Sequence, residues 1–218
     1  MKENTKNVFW EYTKAIVTAL ILALFIRAYF VQAFKIPSGS MIPTLLVGDH
    51  ILVNKFIYGT KIPFSDKRIL IYREPKRGDI VVFKYPEDPS RDFIKRLIAV
   101  GGDVVESRNK VIYINGNPLD EPYVQHVDPN VIPHAPGCTY KGNELVSNGE
   151  YCRDNFGPFT VPRGKFFMMG DNRDLSWDSR FWRFVDMKDI RGKAMIIYWS
   201  WDSMKHWPRF GRIGRLVK

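Results

Sequence analysis

Residues 15–34, AIVTALILALFIRAYFVQAF, constrain this chain more than any other feature. Twenty residues at about 1.5 Å each span roughly 30 Å as a helix, the thickness of the hydrocarbon core of a bilayer. A helix on the surface of a soluble domain keeps one polar face, whereas residues 15–26 are apolar all round. Arg27 is the one charge, near the C-terminal end where its head can snorkel to the interface. Trp10 and Tyr12 on one side, and Tyr29 and Phe30 on the other, suit interfacial aromatic belts. A cleaved leader is the competing interpretation, with Lys2, Lys6 and Lys14 as its basic region and Val31-Gln32-Ala33 as its cleavage site. Arg27 between the apolar core and that site argues against it. The expectation is therefore a short flank, 1–14, and a single transmembrane anchor helix, 15–34. Three lysines before the span and little beyond Lys35 after it place the N-terminus in the cytoplasm. The rest of the chain then lies on the outer side, periplasmic or extracellular.

Past the anchor the pattern changes to strands. HILVNKFIYG, GDIVVFKYP, DFIKRLIAVGGDVVE, KVIYINGNPL, KFFMMGDN and KAMIIYWSW are short β-branched or aromatic runs closed by Gly, Pro, Asn or Asp. Asn115-Gly116 is a hairpin signal. With no βαβ alternation, the fold class is mainly β: a membrane-anchored β-sheet domain built from 35–103 and 162–218. Residues 104–161 are richer in Asn, Gly, Pro and Asp and are expected to form an inserted, variable β-rich subdomain. Cys138 and Cys152 fall inside it, in no Cys/His cluster, so no metal site is expected. In an oxidising compartment they are able to close a loop of fifteen residues, worth about 3 kcal/mol in the chain-entropy model. In the tail, KHWPRFGRIGRLVK, Trp207, Phe210, Ile213 and Leu216 recur every three residues, which suits either a lipid surface or a solvated tail. The net charge of +10 is spread over short runs, without the aromatic platform of a single-strand binder, so nucleic acid is not an expected partner.

The sequence KIPSGSMIPTL follows the apolar run directly. A serine hydroxyl needs a base to become a nucleophile. The four histidines, His50, His126, His134 and His206, carry no recognisable orienting carboxylate motif. The other solution is a neutral lysine, which requires desolvation among apolar groups. Lys95 sits among Phe93, Ile94, Leu97 and Ile98. By spacing alone it is equally a lysine on a solvated strand face.

Four segments in order, PSGSMIPTL, GDIVVFKYP, DFIKRLIAVGGD and GDNRDLSWDSR, resemble the boxes of the bacterial type I signal peptidases, membrane-bound Ser/Lys peptidases. The likeness covers roughly 34–103 and 162–200. It implies that Ser40 is the acylating nucleophile and Lys95 the general base, with no cofactor or metal. Ser38 would complete the oxyanion hole, and Ser176 would orient the lysine. Arg96, Asp171, Asp178 and Arg180 would form a supporting ion-pair network. Phe34, Ile36, Leu45, Phe93 and Ile94 would line shallow pockets that admit small side chains at the −1 and −3 positions of an Ala-x-Ala type site. The implied substrates are secretory preproteins, bound as an added strand beside a lipid bilayer. The secretion machinery is a candidate partner.

Two other readings stay open at this point. A different Ser/Lys peptidase, membrane-bound or of the self-cleaving repressor type, shares the same logic. The repressor type needs a helix-turn-helix where this chain has its apolar span. A tethered β-domain that only binds peptides would have no need of Ser38, Ser40, Lys95 and Ser176 together.

Overall fold

A computed structural model of the chain describes residues 2–61, 68–133, 140–141, 144–145 and 153–218. Cys138, Cys152 and His134 lie outside the described residues.

Helix α1, Lys2–Tyr29, contains a stretch, Val8–Arg27, long and apolar enough to cross a bilayer, and its side chains are not buried against the rest of the protein. The expected helix end at residue 34 needs correcting. Helical bonding stops where Phe30 N–H donates to Ile26, and Val31–Lys35 form strand β1. The reason is a competing partner. Val31 to Lys35 pair antiparallel, residue for residue, with Asn54 to His50, and Phe34 packs onto an apolar core. The Phe30 ring stacks on Phe56 at 5.5 Å, tying the end of the helix to the domain.

The strands that follow, in chain order, are β2 (Asp49–Asn54), β3 (Thr60–Lys61), β4 (Arg68–Ile69), β5 (Ile80–Lys84), β6 (Asp92–Val100), β7 (Val104–Arg108), β8 (Val111–Ile114), β9 (Asn117–Pro118), β10 (Tyr140–Lys141), β11 (Glu144–Leu145), β12 (Phe156–Thr160), β13 (Lys165–Met169), β14 (Phe184–Asp186), β15 (Ile190–Asp202) and β16 (Trp207–Pro208). A short helix, α2, spans Ser179–Trp182. The mainly-β class holds. An antiparallel sheet runs β1-β2-β15-β5-β6-β13-β14, with β16 on β15. It curls, so that the turn after β1 meets the loop after β13 where Asn172 N–H donates to the Ser40 carbonyl at 3.1 Å.

This sheet is covered on both faces, which is why IVVF of β5 reads as an unbroken apolar run rather than an alternating one. Ile36, Met41, Leu45, Ile51, Val53, Val82 and Ile197 fill one side. Val81, Phe83, Tyr85, Leu97, Met168 and Trp182 fill the other. A second sheet, β12-β7-β8-β9, turns between β8 and β9 at Asn115 and Gly116. Both have positive φ, 53° and 80°, as a two-residue hairpin requires. Its Val105, Ile112, Ile114, Phe156 and Phe159 share a core with Ile98, Phe167 and Met169 of the large sheet.

The C-terminal segment forms no α-helix, only a single 3₁₀ turn at Phe210–Arg212, and it is not free. Gly214 takes φ 84°, which interrupts a helix, and Trp207–Pro208 pair with β15 instead. Arg212 Nε donates to Asp49 at 3.0 Å, and Val217 is buried with the core below β2. Burial alone would raise the Asp49 carboxyl, but Arg212, Ser200 and the Leu46 N–H hold it below the ordinary carboxylate range.

Candidate active site

Ser40 lies in a single 3₁₀ turn, Gly39–Met41, directly after the first edge strand. Lys95 stands in the middle of β6. The curl of the sheet brings them together: Lys95 Nζ is 2.6 Å from Ser40 Oγ, and both side chains are buried. Loss of water disfavours the ammonium form most strongly. The charges of Asp178 and Asp171 oppose that and Arg180 adds to it, leaving Lys95 lowered to about 8. Among the described residues no carboxylate accepts a hydrogen bond from Lys95, and Phe93 places its ring 5.7 Å from Nζ. A lysine at 4% exposure, held against a hydroxyl rather than an acid, is half-deprotonated near pH 8 and able to take a proton from that hydroxyl.

The neighbouring loop is fitted closely around Ser40. A Cβ on Gly170 would fall 2.2 Å from Ser176 Oγ and 2.4 Å from the Ser40 carbonyl oxygen, so only glycine allows this approach. Ser176 is buried beside it. The hydrogen bond expected from Ser176 to the lysine is not made: its Oγ has no hydrogen-bond partner in this structure. Ser38 is exposed and extended (φ −133°, ψ 159°), and its side chain makes no capping bond to the turn it precedes.

Two buried ion pairs brace the wall behind the site. Arg96 grips Asp171 with two bonds, Nε–Oδ1 at 2.8 Å and Nη2–Oδ2 at 2.7 Å, and Thr44 Oγ1 adds a third at 2.5 Å. Arg180 grips Asp178 in the same way, at 2.8 and 2.9 Å. Burial would raise the Asp178 carboxyl, yet Arg180, Lys95 and the Gly170 N–H together hold it below its ordinary value. Asp178 thus caps α2, fixes Gly170 through a 3.0 Å bond, and carries its negative charge behind the lysine. Sequence reasoning missed Arg173, which is buried and forms a two-pronged pair with Glu121. It also missed Asn172, which bonds to the Gly39 and Ser40 carbonyls. Both lie inside the GDNRD segment. Their partners lie 52 and more than a hundred positions away, beyond the reach of a local pattern.

Of the five expected pocket residues, Phe34, Ile36, Leu45 and Ile94 pack in one cluster beside Met41. Phe93 does not join them. Residues in a strand alternate between faces, so Phe93 and Lys95 project to one side of β6 and Ile94 to the other. Phe93 packs instead with Phe83 and Tyr85. β6 pairs β5 from Asp92 to Arg96, while β13 pairs only from Arg96 onward. Among the described residues, Asp92–Lys95 therefore present one open strand edge next to Ser40.

Residues 9–199 match the family model described as signal peptidase, peptidase S26. The chain is 39% identical to a signal peptidase I of Pseudomonas fluorescens, over 100% of this chain and 82% of that protein. It is 41% identical to a signal peptidase I of Aquifex aeolicus, over 83% of this chain and 80% of that one. A crystal structure of a signal peptidase I from Enterococcus faecalis is 35% identical, covers 56% of this chain and 97% of its own, and superposes with a TM-score of 0.40. A buried serine–lysine contact beside an open strand edge, in a chain alike from end to end to curated signal peptidases, admits one family: the chain belongs to the signal peptidases, peptidase S26, and is a serine peptidase.

Proposed function

We propose that this enzyme removes signal peptides from secreted preproteins, cutting after a small residue through a Ser40–Lys95 dyad and an acyl-enzyme. The observation that carries the reading is the 2.6 Å contact between Lys95 Nζ and Ser40 Oγ, with the lysine buried and lowered to about 8. The neutral amine takes the Ser40 proton as Oγ attacks the carbonyl of the −1 residue. The resulting oxyanion accepts hydrogen bonds from the Ser38 hydroxyl and the Ser40 backbone N–H. Collapse breaks the peptide bond, and the lysine ammonium returns its proton to the departing amine of the mature chain. Water, deprotonated by the same lysine, then hydrolyses the ester and frees the signal peptide. Ser176 Oγ is buried and unpartnered, which suits it to accept a lysine N–H as the amine turns during this cycle.

The substrate lies extended along the open edge of β6, its −1 and −3 side chains directed at Phe34, Ile36, Leu45 and Ile94. Ile36 and Leu45 are buried in the core beneath this surface, which suits shallow pockets that select small side chains by excluding large ones. Arg96–Asp171 and Asp178–Arg180 keep the wall rigid and stay out of the chemistry. Helix α1 anchors the enzyme in the bilayer with its lysine-bearing N-terminus in the cytoplasm, so the nucleophile stands where a translocated signal segment leaves the membrane. The sheet formed by β7–β9 and β12 belongs to the inserted subdomain, 104–161, and the secretion machinery is a candidate neighbour.

The test is cleavage of a purified preprotein bearing an Ala-x-Ala site, in detergent, by the full chain, Ser40→Ala and Lys95→Ala. The expected result is a new N-terminus directly after the −1 alanine, reduced by about 10⁴-fold or more in each variant. A cut that survives Lys95→Ala would remove the lysine as base, and no cut by folded wild type would remove the function.

A further inference from the structure

A row of aromatic side chains runs away from the lysine on the face of β6 that the small-residue pockets do not use. Phe93 stacks on Tyr85 with ring centres 4.3 Å apart and planes 7° apart. The Tyr85 hydroxyl donates to Glu87 and accepts from Trp177 Nε1 at 3.0 Å. Trp177 stacks in turn on Phe181, at 4.6 Å and 4°. The indole N–H is thus already engaged and one ring face is covered, yet 51% of Trp177 remains exposed. Its neighbours in the chain, Ser176 and Asp178, are buried at the site, so the indole is held beside the site and not on a free loop.

We propose that Trp177, with Tyr85 and Phe93, reads the substrate residue at −2, the middle position of the small-x-small signal, and favours an apolar side chain there. This rests on the signal-peptide reading of the site. The pleat of the sheet sets which way each substrate side chain turns. An extended peptide added to the Asp92–Lys95 edge turns alternate side chains to opposite faces of the sheet. If −1 and −3 face Ile94, Ile36 and Leu45, then −2 faces the side of Phe93 and Lys95. The surface waiting there is aromatic, rigid through its stacking and its Tyr85–Trp177 bond, and continuous with the catalytic lysine. Arg91 rims it, with its guanidinium 5.5 Å from the Phe93 ring. An aliphatic or aromatic side chain laid on such a wall gains contact without losing a hydrogen bond, whereas glycine gains nothing. The −1 and −3 pockets select by exclusion. The −2 wall selects by attraction.

The experiment uses the full chain in detergent and a series of preproteins identical except at −2, with Gly, Leu, Phe or Asp between the two alanines. For the wild type, kcat/KM for Leu and Phe is expected to exceed that for Gly by roughly five- to tenfold. Trp177→Ala should compress this ratio to below about twofold, and Trp177→Phe should restore most of it. A flat wild-type series, a ratio untouched by Trp177→Ala, or a uniform fall on all four substrates would overturn the proposal. A flat series cut correctly after −1 removes the −2 wall and leaves the function standing. No cut of any of the four by the wild type removes the function itself, and the wall with it.

Discussion

Lys95 and Arg96 are adjacent residues on one strand, both cationic by type and both buried, at 4% and 2% exposure. Their surroundings could hardly differ more. Arg96 meets a carboxylate two-pronged, a hydroxyl, two main-chain oxygens (Gly78 and Lys218) and the Tyr123 ring at 3.7 Å. Lys95 meets a serine hydroxyl and an aromatic ring. A guanidinium cannot shed its proton in a protein, so its burial demands a full set of acceptors. An ammonium can, and where acceptors are withheld it does. The strand alternation that separates the two side chains lets one peptide unit carry a permanent structural charge and a removable, chemically useful one. Asp178 shows how near the balance lies, since it pulls the lysine toward the charged form from behind while burial pushes it the other way.

The largest effect separating the two should come from Arg96→Met. It leaves Asp171 buried with Thr44 but without its cation, and the expected cost is about 3–5 kcal/mol of stability. Chemical denaturation of the full chain in detergent would measure it, and a loss below about 1 kcal/mol would mean that Asp171 finds other compensation. Next comes Ser38→Ala, expected to lower kcat by about 10²–10³ without moving the pH profile, because an oxyanion donor acts independently of the base. A shifted profile with unchanged plateau would place Ser38 beside the lysine instead.

The pH profile of the wild type tests the lysine directly. Its neutral, active fraction grows as pH rises through about 8. Between pH 6 and pH 10 kcat/KM should therefore climb by about a hundredfold, and a flat profile would break the comparison with Arg96. The smallest effect is on stability. The folded-state lysine lies at about 8 against an ordinary value of 10.5, so below pH 8 it is charged in both states and its burial penalty is complete. That penalty shrinks as pH rises from about 8 to 10.5. Lys95→Met should therefore stabilise the protein at pH 6, by roughly 1–3 kcal/mol, and by less at pH 10. Equal gains at both values would show that the lysine is not the group titrating.

Much of the fold is legible residue by residue. Each of the six apolar runs singled out after the anchor contributes a strand, and Asn115-Gly116 turns a hairpin, because propensity and turn chemistry act over a few neighbours. The helix end is not legible. Val31–Phe34 is apolar enough to continue α1, and only its pairing with Asn54–Ile51 draws it into the sheet. The docking of the tail is not legible either, since the partner that fixes Arg212 is Asp49, 163 positions earlier in the chain.

At the site, the ordered boxes single out Ser40 and Lys95 as candidates, and the residue types alone say what chemistry they would suit. What the sequence determines by itself is this inventory: an apolar span of bilayer length, strands of known period, and a serine and a lysine in a recognisable order. What tertiary structure decides is which cation is paired and which is starved of acceptors, that Gly170 lets Ser176 and the Ser40 carbonyl close in around it, and that Phe93 turns from the small-residue pockets toward Tyr85. Those outcomes depend on solvent exclusion and on partners far away in the chain. Both come into being only when the sheet curls and closes its two distant segments around the same few side chains.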